Sequence, residues 1–203
     1  MQMLDPHGVD AFLIVVPYYN KPTQEGQYMY FKAVAESTDK PMVLYNVPGR
    51  TGVNMMAETT LRLARDFDNI VAIKEASGNI TQMDTILKNK PEGFDVISGD
   101  DGITYPLITL GAVGVISVLG NAYPYEFSRM TRLALQGDYS NSLAIHHKFT
   151  ELYSLLFVDG NPAGVKAMLN IMGMMENKLR LPLVPARDTT CEKLRAVWKE
   201  LKS

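Results

Sequence analysis

A lysine stands inside an apolar run. In NIVAIKEASGN (69–79), Ile70, Val71, Ala72 and Ile73 read as a buried strand, and Lys74 then interrupts it. Lysine is almost never fully buried without a partner. Two chemistries fit the position: an amine held neutral so that it can attack a carbonyl, or an ammonium that reaches water where the strand ends. The first requires the pKa to fall from ~10.4 towards ~7–8, by desolvation or a neighbouring cation. A drop of ~3 units corresponds to about 4 kcal/mol in favour of the neutral form. Glu75 follows directly, but adjacent strand residues point to opposite faces, so an ion pair between the two is not expected.

Other residues with useful chemistry sit at the ends of other apolar runs. Tyr45 lies near the end of PMVLYNV (41–47). At a neighbouring parallel strand end its phenol would lie near Lys74, where it could relay protons, or else fill core with a satisfied hydroxyl. Arg50, in NVPGRTG (46–52), lies on the loop just beyond. Its fork suits bidentate capture of a carboxylate, against the plainer role of a solvated loop charge. The acids of SGDDG (98–102) precede a helix-like stretch and read as cap and dipole partners. No His or Cys lies near them, so no metal site is expected. His146 and His147 read as surface or packing residues, the methionines at 168, 172, 174 and 175 as core filler, and Cys191 as structural.

These residues need a frame. Strand-like runs occur at 10–16, 41–47, 69–75, 94–98 and 112–118, and amphipathic helix-like stretches at 24–38, 56–66, 81–89 and 102–111. Such alternation implies parallel pairing through right-handed crossovers, with both faces of the sheet covered. After residue 124 the pattern changes to helices at 125–136, 140–157, 163–175 and 190–202. We therefore expect an α/β chain, one domain overall, with βα units over 1–124 and a helical C-terminal part over 125–203. Five βα units suit an open doubly wound sheet or part of a (β/α)8 barrel. The stretch after the first strand, PYYNKPTQEG, lacks a Gly-rich phosphate loop.

Bulk properties exclude several classes. The 203 residues are 46% hydrophobic and carry 20 basic against 22 acidic side chains, with no basic block. Nucleic acid and anionic membrane are therefore poor partners. One cysteine excludes an intrachain disulfide and fits a reducing, cytoplasmic setting. No apolar run approaches the ~18 residues of a membrane span. The start, MQMLDPHGVD, lacks the pattern of a secretory leader.

Six motifs together resemble the dihydrodipicolinate synthase family: VVPYYNKPTQEG (15–26), LYNVPGRTG (44–52), IKEASGN (73–79), SGDD (98–101), GAVGVISV (111–118) and GNPAGVKAML (160–169). They come in the family's order and span almost the whole chain. The resemblance implies an α/β TIM barrel, (β/α)8, of which strands 4–8 are present here, with extra C-terminal helices. It implies a lyase that condenses pyruvate with aspartate 4-semialdehyde in lysine and diaminopimelate biosynthesis, with no cofactor beyond the covalent Schiff base to pyruvate. Lys74 matches the Schiff-base lysine and Tyr45 the proton-relaying tyrosine. Tyr19 matches a catalytic tyrosine that crosses a dimer interface, and Tyr18 its interface neighbour. Arg50 matches the arginine that holds the acceptor's carboxylate, and Gly99 and Ile116 match positions whose backbone meets substrate. A homodimer or homotetramer is implied. The family's Gly-Thr-Thr-Gly-Glu segment is absent from this chain, so it is expected to lack the N-terminal strands and not to be an efficient enzyme alone. The runners-up are an N-acetylneuraminate lyase-type aldolase and a non-catalytic, self-associating fragment.

Overall fold

The computed structural model describes residues 8–202; most of the stretch tested for a leader lies outside them. Two compact units divide between Ile116 and Ser117. In the first unit the order is β1 (Phe12–Val15), α1 (Gln24–Ala35), β2 (Met42–Asn46), α2 (Pro48–Thr51), α3 (Ala57–Asp66), β3 (Ile70–Glu75), α4 (Ile80–Asn89), β4 (Asp95–Ser98), α5 (Thr104–Thr109) and β5 (Gly114–Val115). The five strands form one sheet in the order β1-β2-β3-β4-β5, and every pair is parallel. All five expected strands are present, trimmed by one to five residues. Two of these helices begin where a side chain caps them: Thr23 accepts from the Gly26 N–H ahead of α1, and Asn79 from the Gln82 N–H ahead of α4.

Side-chain alternation divides the sheet into two faces. In β2, Met42, Leu44 and Asn46 are buried, while Val43 and Tyr45 are half-buried. The buried face packs on Phe31, Leu63 and Ile86 of the flanking helices, with Ile73 and Val96 from the neighbouring strands. One irregularity sets which residues meet across β2 and β3. Met42 pairs with Ile70, but Val43 pairs with Ala72, so the register skips Val71. Tyr45 then lies opposite Lys74, and Asn46 opposite Glu75.

The second unit is helical: α6 (Pro124–Leu135), α7 (Tyr139–Lys148), α8 (Thr150–Leu155), α9 (Ala163–Ile171) and α10 (Asp188–Lys202). The expected single helix over 140–157 breaks at Phe149, whose backbone leaves the helical region and whose buried ring packs 4.9 Å from that of Tyr123. The helix expected to run to 175 stops at Ile171. There Gly173 adopts φ +76°, Met174 N–H bonds to Leu169 O and Gly173 N–H to Asn170 O, the paired bonds that close a helix through a left-handed residue. Among the described residues no helix is long and apolar enough to cross a membrane, and no group of three or more metal-ligating side chains converges.

Candidate active site

The pleat presents Tyr45 and Lys74 side by side on one face of the sheet. Lys74 Nζ lies 4.2 Å from the centroid of the Tyr45 ring, within cation–π range. Burial pushes the Lys74 pKa below the ordinary lysine range; the Asp101 charge opposes that shift and the Arg50 charge reinforces it. Burial raises the Tyr45 phenol, and Arg50 draws it back down. Glu75 points to the opposite face, where its carboxylate accepts from Asn46, Gln82 and the Ser77 N–H rather than pairing with Lys74.

The neighbouring strand end leaves room for the lysine stem. A Cβ on Gly99 would lie 2.7 Å from Ala76 Cβ and 3.1 Å from both Lys74 Cε and Glu75 O. Side chains essentially never approach that closely, so the absence of one here keeps the stem in place. The Gly99 N–H donates to Glu75 O at 2.8 Å, and the Ile116 N–H to Ser98 O at 3.0 Å, which ties these two backbone positions to the adjacent strand ends. Arg50 rides on α2, a single turn opened by Pro48 and closed by Gly52 in the left-handed region, φ +72°. That Pro-first, Gly-last pattern suits a short helix whose first N–H and last C′ residue are both constrained.

Asp100 caps the turn that follows β4, as read from the sequence, accepting from the Gly102 N–H at 2.9 Å. Asp101 does more than the sequence suggested: it is buried, and its charge acts on Lys74. Its only sequence signal is its place three residues after the end of β4. Tyr18 and Tyr19 are 67% and 92% exposed, and Tyr19 holds φ +67°, so the single chain leaves both phenols in solvent. Lys74, Tyr45, Arg50 and Gly99 are thus brought to neighbouring strand ends, whereas Tyr19 is not turned toward them.

The charges around Lys74 predict opposite pH effects. Only the neutral amine attacks a carbonyl, so carbonyl trapping rises as pH climbs through the lysine's pKa. Asp101→Asn removes the charge that favours the ammonium, so the rising limb should move to lower pH. Arg50→Ala removes a charge that disfavours it, so the limb should move to higher pH. Borohydride trapping of a carbonyl compound across pH 6 to 10 measures both.

A model of the dihydrodipicolinate synthetase family matches residues 2–201. The chain belongs to that family. It is 80% identical over 198 residues to a 4-hydroxy-tetrahydrodipicolinate synthase of Phocaeicola vulgatus, covering 98% of this chain and 67% of the relative. Its fold matches the crystal structure of dihydrodipicolinate synthase from Thermotoga maritima with a TM-score of 0.96 at 45% identity, over 99% of this chain and 69% of that one. A chloride-inhibited dihydrodipicolinate synthase from Acinetobacter baumannii complexed with pyruvate matches with a TM-score of 0.94 at 40% identity, over 99% and 68% of the two chains. The chain therefore spans about two thirds of the length of these relatives, and its parallel sheet and helices are of the family's TIM-barrel type.

Proposed function

We propose that the protein condenses pyruvate with aspartate 4-semialdehyde to give 4-hydroxy-tetrahydrodipicolinate through a Schiff base at Lys74. The observation that carries this is the registered Tyr45–Lys74 pair, with an ammonium made easier to deprotonate by burial and by Arg50. Membership of the family supports it. The neutral Lys74 amine adds to the ketone carbon of pyruvate. Tyr45 shuttles a proton to the departing hydroxyl, water leaves, and an imine remains. Loss of a methyl proton gives the enamine, whose carbon bonds to the acceptor's aldehyde carbon while the aldehyde oxygen takes a proton. The acceptor's own amine then displaces Lys74 and closes the ring. Arg50 holds the acceptor's carboxylate, and the Gly99 and Ile116 backbones border the substrates.

In this proposal β1–β5 are strands 4–8 of an eight-stranded barrel, and residues 125–203 supply the last barrel helix and a helical extension. Tyr18 and Tyr19, both exposed, face a second copy in a homodimer or homotetramer, with Tyr19 entering that copy's site. The protein works in the cytoplasm, without a cofactor. A sialic acid lyase activity is not favoured: the acceptor's carboxylate explains Arg50, and the relatives are named for the dipicolinate reaction. Incubation of the chain with pyruvate and borohydride, followed by intact-mass measurement and peptide mapping, should give a single adduct at Lys74. Turnover should then require aspartate semialdehyde and fail with N-acetylmannosamine. No adduct, or an adduct elsewhere, would refute the proposal.

A further inference from the structure

We infer that the hydrogen-bonded cluster of buried Glu75, Asn46 and Gln82 with half-buried Asn54, on the face of the sheet opposite Lys74, positions the segment that carries Arg50. Glu75 is then a positioning residue for capture of the acceptor's carboxylate. The inference rests on the proposed aldolase reading for that carboxylate, and on geometry alone for the hold on the segment.

Asn46 and Glu75 are register partners and are both fully buried. Asn46 Nδ2 donates to Glu75 Oε1 at 3.2 Å and Oε2 at 3.1 Å. Gln82 Nε2, from α4, donates to Oε2 at 3.0 Å, and the Ser77 N–H to Oε1 at 2.7 Å. A carboxylate only accepts, so both amides must turn their NH2 groups toward it. That choice fixes their other ends. Asn46 Oδ1 faces and accepts from the Met55 N–H at 3.0 Å, and Gln82 Oε1 accepts from Asn54 Nδ2 at 2.8 Å. Asn46 Nδ2 also donates to Asn54 Oδ1 at 2.8 Å, and Gln82 Nε2 to Met55 O at 3.1 Å.

The consequence is topological. Asn46 immediately precedes residues 47–53, and Asn54 and Met55 immediately follow them. Both ends of the stretch bearing α2 and Arg50 are therefore tied to one side-chain cluster, whose polarity Glu75 sets. Apolar side chains would fill the same volume without the cost of burying polar groups. Hydrogen bonds of defined direction add a fixed orientation for the backbone that leaves β2. In Glu75→Gln an NH2 replaces one acceptor oxygen amid converging donors. The amides must then reverse or lose bonds, and the hold on Met55 is broken.

The test uses the full chain and three readouts: hydrogen exchange over 47–56, the rate of borohydride-trapped pyruvate adduct, and the KM for aspartate semialdehyde. Glu75→Gln should speed exchange over 47–56 and raise the acceptor KM at least tenfold, while adduct formation changes less than threefold. The KM effect should vanish when Arg50→Ala is already present, because residues acting through one another are not additive. Asn54→Ala, which leaves every donor on Glu75 in place, should act in the same direction and serves if Glu75→Gln does not fold. Unchanged exchange over 47–56, an unchanged acceptor KM, or an equal KM effect in the Arg50→Ala background would overturn the inference. A wild-type chain that traps no pyruvate refutes the aldolase reading separately, and exchange over 47–56 then decides whether the cluster holds the segment.

Discussion

Lys74→Ala is expected to abolish the trapped pyruvate adduct and to lower kcat/KM by roughly four orders of magnitude or more, about 5.4 kcal/mol of barrier. The size follows from the role: without the amine there is no imine, and no other side chain at this strand end supplies a neutral nucleophile. Lys74→Arg separates this role from a simple need for positive charge. A guanidinium keeps the charge but does not deprotonate in proteins, so it should be equally inactive. Because burial disfavours the ammonium, removing it relieves a cost, and Lys74→Ala should fold with at least the thermal midpoint of the wild type. An adduct that persists in Lys74→Ala, or substantial activity in Lys74→Arg, would sink the assignment. Intact-mass spectra before and after borohydride settle the first point, and a steady-state assay the second.

Gly164→Ala should be the most damaging single-methyl change in the helical unit. A Cβ at Gly164, in α9, would lie 2.1 Å from Leu156 O and 2.8 Å from Leu156 Cα. These are backbone atoms, so no rotamer change relieves the overlap; α9 must move away from the segment that follows α8. Leu152, Leu156, Val165 and Met168, all buried beside this contact, would lose packing as it opens. Overpacking typically costs about 1–3 kcal/mol and more where the clash is with backbone, so a loss of at least ~3 kcal/mol is expected. Gly49→Ala is the control: nothing lies within 4 Å of its added Cβ, and its φ is not positive. It should change stability by no more than ~0.5 kcal/mol. Urea unfolding followed by circular dichroism compares the two. Equal midpoints for both variants would show that α9 is not fixed by this contact.

What could be read from sequence follows the physics of each element. The parallel sheet was legible because its strands are short, unbroken apolar runs spaced by amphipathic helices, and burial on both faces demands that composition. Helix ends were less legible. Phe149 stops a helix because its ring is drawn into the core beside Tyr123, a tertiary demand that local periodicity does not encode. At the site, Lys74, Tyr45 and Arg50 were visible because each is a polar interruption at the end of an apolar run. Asp101 and the cluster around Glu75 were not. Asp101 carries the pattern of a helix cap, which its neighbour Asp100 in fact provides. Glu75, Asn46 and Gln82 are amide and acid side chains of kinds that also occur on any polar surface, and their burial depends on partners up to 29 positions apart.

The skipped Val71 gives β3 a property that substitution cannot alter. Pairing β3 with β2 residue for residue from Ile70, with no skip, would leave every side chain named above chemically intact, yet shift all that follows by one place against β2. Ile73 would then face Tyr45, and Lys74 would turn through the sheet toward Asn46, onto the side where the helices pack. The ammonium would be driven into hydrocarbon and the carboxylate out onto the reactive face. Function here is therefore written in the residue count of a strand as well as in its letters. Deleting Val71 would remove the skip along with its residue and leave Tyr45 opposite Lys74, whereas deleting Ala72 or Ile73, after the skip, exchanges the two faces at once.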